Sequence, residues 1–268
     1  MRIPLLLARS IARAKPLVPS RMWPAILAAR SMAGAGPVLA LPAYRRVLVL
    51  AAHPDDESMG CAGTIALLAQ SGARVDVVYA SDGEATRGSG SAPDVTAAAR
   101  RSEAEQACRL LGAQPPRFLG SPDGRLAESV PELATAVRAV LAQLQPQVVL
   151  VPWFLDAHRD HQSLTEVLAD AGLADDVEVW GFEVWTPLPP TRLVDVTAVV
   201  ETKRAALALH VTAHQAFDIG VAMGLSRWRS VHAQMGQGYA EAFLAAPASE
   251  YLRLATQARG EIEEKQPT

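Results

Sequence analysis

Cysteine is almost missing from this chain: Cys61 and Cys108 are the two in 268 residues, far apart. That excludes a disulfide framework and a cysteine-rich zinc site. Cys61 lies in Gly60-Cys61-Ala62-Gly63, which reads as the start of a helix packed on a sheet, so it is expected as a small buried filler. No Gly-x-Gly-x-x-Gly follows the first apolar run, which argues against a dinucleotide site. Acids are absent from the first 54 residues, which carry Arg2, Arg9, Arg13, Lys15, Arg21, Arg30, Arg45 and Arg46. The longest uncharged stretch there, Ser31 to Tyr44, has 14 residues and contains glycine and proline. A membrane span needs ~20 apolar residues, so none is expected. Arginines interrupt every apolar block, which excludes a secretory signal, and the expected location is the cytoplasm. Residues 1–45 read as a basic extension, either poorly ordered or making peripheral contact with an anionic surface. The net charge of -3 leaves no electrostatic footprint for nucleic acid. Oligomeric state is not legible.

Half of the residues are hydrophobic, enough to fill the core of one sizeable domain. From Arg46 onward, apolar runs alternate with helical periodicity. Strands are expected at Val47–Ala51, Val75–Ala80, Arg117–Leu119, Val148–Pro152, Val177–Phe182 and Leu193–Val196, rich in Val, Ile and Leu as in strands buried on both faces. Helices are expected at Gly63–Gln70, Pro93–Leu111, from the capping box Ser129-Val130-Pro131-Glu132 onward, at Gln162–Gly172, at about Ala198–Phe217 and at Ser230–Phe243. The alternation predicts a three-layer α/β/α sandwich on a mainly parallel sheet, with ligands bound outside the strand C-termini. Residues 46–250 read as the domain and 251–268 as a charged tail.

The stretch Ala52-His53-Pro54-Asp55-Asp56-Glu57 ends the first strand. One imidazole and three carboxylates crowded together are costly to bury without a cation. After the strand Val148–Val151 comes Asp156-Ala157-His158-Arg159-Asp160-His161, so three of the six histidines lie just past strand ends. His53, Asp56 and His161 then supply two imidazoles and a carboxylate to one ion, leaving a position for water as in catalytic zinc sites. Zinc lowers the pKa of such a water to ~7. Asp55 can face that water as general base. His158, if protonated, can stabilise a developing oxyanion, and Asp160 can orient an imidazole. His210, His214 and His232 fall on helices without an acid cluster and are expected to be structural.

These motifs resemble the PIG-L/LmbE-like family of zinc-dependent N-deacetylases. Ser81-Asp82-Gly83-Glu84, Arg100/Arg101 with Glu103 and Leu111-Gly112, and Pro122-Asp123-Gly124 are similar to further family landmarks. The resemblance implies a Rossmann-like α/β/α fold, zinc on His53, Asp56 and His161 (Fe2+ is the other candidate), and Asp55 as base. It implies His158 as oxyanion or leaving-group partner supported by Asp160. It also implies an acetylated sugar or glycoconjugate as substrate, with Arg87 and Asp123 holding its hydroxyls. Arg159 departs from the family pattern, where many relatives have proline, and bears on loop geometry or substrate charge. The basic extension has no counterpart in the short bacterial members.

Three competing readings follow from the same residues. A zinc amidase acting on a non-sugar amide shares all of the chemistry. A non-haem iron oxygenase also uses two histidines and a carboxylate, but on β folds with His-x-Asp, whereas here the spacing is His-x-x-Asp. A non-catalytic domain of the same fold would be expected to have lost candidate ligands, and none is lost.

Overall fold

The computed structural model describes residues 38–263 except Gly88 and Phe217; residues 1–37 of the basic extension lie outside that range. Among the described residues, eight strands form one sheet in the order β1-β7-β8-β6-β5-β2-β3-β4. They are β1 (Val38–Leu39), β2 (Arg46–Ala51), β3 (Arg74–Tyr79), β4 (Arg117–Phe118), β5 (Val148–Pro152), β6 (Glu178–Phe182), β7 (Arg192–Asp195) and β8 (Ala240–Pro247). All neighbours run parallel except at β8, which is antiparallel to both β6 and β7. Nine α-helices are found among the described residues: α1 (Asp56–Gly60), α2 (Ala62–Gln70), α3 (Pro93–Leu111), α4 (Val130–Leu144), α5 (Arg159–Ala171), α6 (Val200–Leu209), α7 (Val211–Ala216), α8 (Val221–Gln234) and α9 (Ala248–Glu263).

Two cores flank the sheet, because strand side chains alternate between its faces. Leu48 and Leu50 of β2 join Val137 of α4, Leu164 of α5 and Leu254 of α9 on one side. Val47, Val49 and Ala51 join Ile65 of α2, Cys108 of α3 and Ala206 of α6 on the other. This is the expected three-layer α/β/α architecture. Cys61 is free and buried, as expected of a filler, and so is Cys108. Strand β2 pairs with β3 on one side and β5 on the other. The chain leaves β2 toward β3 and β4, then returns to β5. The C-terminal ends of β2 and β5 therefore flank the switch point, where open α/β sheets bind ligands.

Four segments differ from the sequence expectation. The helix expected over Ser230–Phe243 stops at Gln234, and Ala240–Pro247 is a strand buried along most of its length. Its composition, Ala-Glu-Ala-Phe-Leu-Ala-Ala-Pro, is rich in helix formers; pairing with β6 and β7 overrides that preference. The helix expected over Ala198–Phe217 breaks at His210, which leaves helical geometry at φ -82°, ψ 61°. The segment read as a tail from 251 belongs to α9, whose Tyr251, Leu254, Ala255 and Ala258 are buried. Val38–Leu39, from the stretch read as an extension, pair with Arg192–Leu193 as an edge strand.

Candidate metal and active site

The turn after β2 is built around the Asp56 carboxylate. Ala52 N and His53 N both donate to Asp56 Oδ2 at 2.9 Å. Its Oδ1 faces the other motif: His161 Nε2, in the first turn of α5, lies 3.1 Å away. That nitrogen is buried and makes no hydrogen bond. The partner ring nitrogen, Nδ1, is 3.0 Å from Asp156 Oδ1. A carboxylate that accepts a hydrogen bond from Nδ1–H keeps the proton on that nitrogen and leaves the Nε2 lone pair free. Two donor atoms 3.1 Å apart without hydrogen-bond geometry fit ligands of a shared cation, for which bonds of ~2.0–2.1 Å in a tetrahedron imply edges of ~3.3 Å.

His53 completes the group. Its Nδ1 lies 3.7 Å from Asp56 Oδ2, and its Nε2 lies between Asp123 Oδ1 (3.1 Å) and Asp160 Oδ2 (3.2 Å). His53, His158 and His161 each bring a ring nitrogen within 4.8 Å of the others. His53, Asp123 and Asp160 form a second compact group, which the contacts of Nε2 with the two carboxylates account for. Five carboxylates (Asp55, Asp56, Asp123, Asp156, Asp160) and one guanidinium (Arg100) converge on this volume, and all of these acids but Asp123 fall below 9% exposure. Burial alone would depress both imidazoles. Asp123 and Asp160 overcome it and hold His53 up at about 10, and Asp56 and Asp156 hold His161 at about 9. The surroundings favour a cation at this point, and the donor set fits a divalent metal.

Asp55 stands beside the ligands in a strained conformation, φ 146°, ψ -25°. Arg100 holds it there: one guanidinium nitrogen is 3.0 Å from Asp55 Oδ2 and donates to the Pro54 carbonyl, and the other donates to Gly83 O and Thr86 Oγ1. Burial pushes the Asp55 carboxyl above the usual range against the pull of Arg100. A raised carboxylate suits a proton acceptor.

His158 caps α5, its Nδ1 accepting from Asp160 N at 3.2 Å. Burial, then the imidazoles of His53 and His161, push its pKa down. From the sequence, the oxyanion role of His158 is conditional on its protonation; its surroundings favour the neutral imidazole. With Nδ1 accepting, the proton sits on Nε2. The expectation that Asp160 supports His158 is corrected: its side chain faces His53 and accepts from Gly124 N and Leu126 N. The Pro122-Asp123-Gly124 turn brings those donors within reach. Asp123 also accepts from Ala85 N, and Glu84 accepts from Asp123 N.

A cavity of about 590 Å³ opens over these groups. Its lining includes the polar His53, Asp55, Arg87, Arg100, Asp123 and His158 and the apolar Met59, Val184, Trp185, Ala213 and Ala216. Both sugar-binding candidates, Arg87 and Asp123, thus line it. Sequence reasoning named Arg100 only as part of the Arg100/Arg101–Glu103 landmark and gave no role to Asp156 or Trp185. It also read His210 as lacking an acid partner, whereas Nε2 of this buried ring lies 3.1 Å from Glu57 Oε1 and 2.9 Å from Ser58 Oγ.

No helix among the described residues is long and apolar enough to cross a membrane. Residues 48–172 match the family described as PIG-L: GlcNAc-PI de-N-acetylase. A probable N-acetyl-alpha-D-glucosaminyl L-malate deacetylase 2 of Bacillus anthracis is 33% identical over 134 residues, 47% of this chain and 59% of the relative. The chain spans about half the length of the curated relatives it matches first. The N,N'-diacetylchitobiose deacetylase of Pyrococcus horikoshii superposes with a TM-score of 0.66 at 26% identity, over 78% of this chain and 86% of that one. GalB, a 4-carboxy-2-hydroxymuconate hydratase of Pseudomonas putida, shares the fold at 23% identity and a TM-score of 0.64, over 75% of this chain and 96% of that one. A fold that hosts both names leaves the reaction to be argued from the site. Within that fold the matched span carries both His/Asp segments, and the chain accordingly contains a PIG-L (LmbE-like) deacetylase family domain.

Proposed function

We propose that this chain is a zinc-dependent hydrolase that removes the N-acetyl group from an N-acetylglucosamine-type sugar or conjugate. The observation that carries the reading is the unpaired His161 Nε2, 3.1 Å from Asp56 Oδ1 and adjacent to His53 and the strained Asp55. His53, Asp56 and His161 would hold the ion. A divalent cation bound there supplies Lewis-acid polarisation and a water acidic enough to attack near neutral pH.

The remaining roles belong to side chains. Asp55 accepts the proton of the attacking water. His158 donates its Nε2–H toward the amide oxygen as negative charge develops, much as a neutral imidazole serves as an electrophile elsewhere. Collapse of the tetrahedral adduct breaks the C–N bond, and the proton held by Asp55 passes to the departing amine. Water and amide are thereby converted to acetic acid and amine, which at neutral pH are acetate and the ammonium form. Asp156 fixes His161, and Asp123 and Asp160 fix His53, so the donors are set before substrate arrives. Arg87 and the remaining lone pairs of Asp123 hold sugar hydroxyls. The names of the relatives support the acetamido sugar as the substrate class. Free, buried Cys61 and Cys108 suit the reducing cytoplasm, and no nucleic-acid partner enters the reading.

The test is acetate release from a panel of N-acetylated sugars with and without chelator. Chelator-sensitive release that zinc restores is expected. Chelator-insensitive release, or none from the whole panel, would remove the reading. Asp55→Asn should abolish turnover while zinc affinity stays within a few-fold.

A further inference from the structure

A second buried polar group adjoins Asp55 and takes no part in the reaction described above. Glu57, Ser58 and His210 are all fully buried. Ser58 Oγ donates to Glu57 Oε1 at 2.6 Å, and His210 Nε2 lies 3.1 Å from the same oxygen. Nδ1 of that ring makes no hydrogen bond, so Nε2 carries the proton that faces Glu57. The ring reaches this point because the chain leaves helical geometry at His210, between α6 and α7. Taking a carboxylate and an imidazole out of water is costly, and apolar residues of similar volume are often as stable or more so in place of a buried pair. Stability alone therefore gives no reason for the arrangement.

The other Glu57 oxygen supplies a reason. Oε2 accepts from Asp55 N at 3.2 Å. Asp55 is the N-cap of α1, and an N-cap side chain ordinarily turns back to accept from the backbone of the first turn. That hydrogen bond is missing here; the Asp55 carboxylate faces Arg100 and lines the cavity instead. The second helical residue, Glu57, reaches back to the N–H of the cap, as the glutamate of a capping box does one position later. Asp55 is left at φ 146°, a conformation that a residue with a side chain keeps only where its surroundings over-determine it. Three contacts do so: Glu57 on its N–H, Met59 N on its carbonyl at 2.9 Å, and Arg100 on its carboxylate. His210 and Ser58 hold Oε1 of Glu57, which keeps Oε2 aimed at Asp55 N.

Resting on the deacetylase reading, we propose that Glu57 and His210 are positioning residues for the proton acceptor Asp55. The oxygen they fix keeps the Asp55 backbone in the conformation that turns its carboxylate to the cavity. The test uses two variants. The double variant Glu57→Leu/His210→Leu removes the pair without leaving a lone buried charge, and Glu57→Gln keeps an acceptor oxygen for Asp55 N. Acetate release from N-acetylated sugars gives kcat and KM, chelator competition gives zinc affinity, and a crystal structure of each apoprotein gives the Asp55 backbone. A displacement of ~1 Å at a reacting group costs about 100-fold in rate. In the double variant kcat should therefore fall about 10- to 100-fold, with KM and zinc affinity within about threefold of wild type. Asp55 should leave φ 146° in that variant. Glu57→Gln should keep both the Asp55 conformation and most of kcat. A pair with only a structural role would lower stability without separating kcat from KM. Unchanged kcat or an unchanged Asp55 backbone in the double variant, or an equal loss in Glu57→Gln, would overturn the positioning role while leaving the hydrolase intact. Where the double variant fails to fold, Glu57→Asp gives the same readings, since it keeps a charge for His210 but draws the carboxylate back from Asp55 N by one methylene. No chelator-sensitive acetate from the wild type would instead overturn the deacetylase reading, and the positioning role with it.

Discussion

Replacing Asp156 by asparagine removes one negative charge and keeps the shape of the side chain. The carboxylate is fully buried and serves four groups. Oδ1 faces His161 Nδ1 and His158 N, each at 3.0 Å, and Oδ2 accepts from Trp185 N and Thr186 N. An amide can present its oxygen to only one pair. If the oxygen stays with Trp185 and Thr186, the NH2 meets Nδ1–H of His161 and the backbone N–H of His158, and that one backbone N–H loses its acceptor. The imidazole must then move its proton to Nε2, the atom that faces Asp56. If the amide turns over, two buried backbone N–H groups lose their partner at about 1–3 kcal/mol each. The first outcome is cheaper and it blocks a ligand atom. Loss of such an orienting group costs about 10- to 100-fold in metal affinity, equivalent to ~1.4–2.7 kcal/mol. Zinc affinity measured by competition with a chromogenic chelator, alongside urea denaturation of the apoprotein, reads both terms. A folded Asp156→Asn protein binding zinc within twofold of wild type would refute the claim that Asp156 sets the His161 tautomer.

Two further outcomes concern the frame around the site. Glu241 accepts from Gly63 N, Thr64 N and Thr64 Oγ1 at the start of α2, and pairs with buried Lys203 at 2.6 Å. Glu241→Ala leaves that ammonium buried and unpaired, and should lower stability by about 3–5 kcal/mol in chemical denaturation; a loss below 1 kcal/mol would contradict the buried pair. Burial lowers the pKa of His210, but Glu57 first and then Asp55 raise it above the ordinary 6.5, against the nearby Arg100. A raised histidine contributes stability that is fully present below pH 6.5 and is lost as pH rises through its higher folded-state value. The stability difference between wild type and His210→Gln should therefore shrink with rising pH across that interval. A difference that grows would reverse the assigned sign.

The parallel part of the sheet was legible because its strands are short runs of Val, Ile and Leu, and because both His/Asp segments directly follow two of them. The convergence of those segments followed from topology: β2 and β5 are neighbours, so residues more than 100 apart in sequence meet over one edge. β8 was not legible, since alanine, glutamate and leucine carry helix propensity and only pairing on both sides makes them a strand. His210 was misread because its acid partner, Glu57, is 153 residues away. Arg100 was legible only as part of the Arg100/Arg101–Glu103 landmark, and Asp156 was given no role, because an arginine on a helix and a lone aspartate in a loop carry no periodic signal. Which carboxylate each imidazole faces was likewise outside the reach of spacing. Asp160 turned to His53, because Gly124 N and Leu126 N fix its carboxylate there.

Anomalous diffraction at the zinc edge, on crystals of the intact chain grown with equimolar zinc, examines the metal centre without intermediary. One peak is expected ~2.0–2.2 Å from a ring nitrogen of His53, a ring nitrogen of His161 and a carboxylate oxygen of Asp56, with the Asp55 carboxylate beside it but unbound. Zinc found elsewhere, or absent from those three residues at full occupancy of another site, would contradict the account.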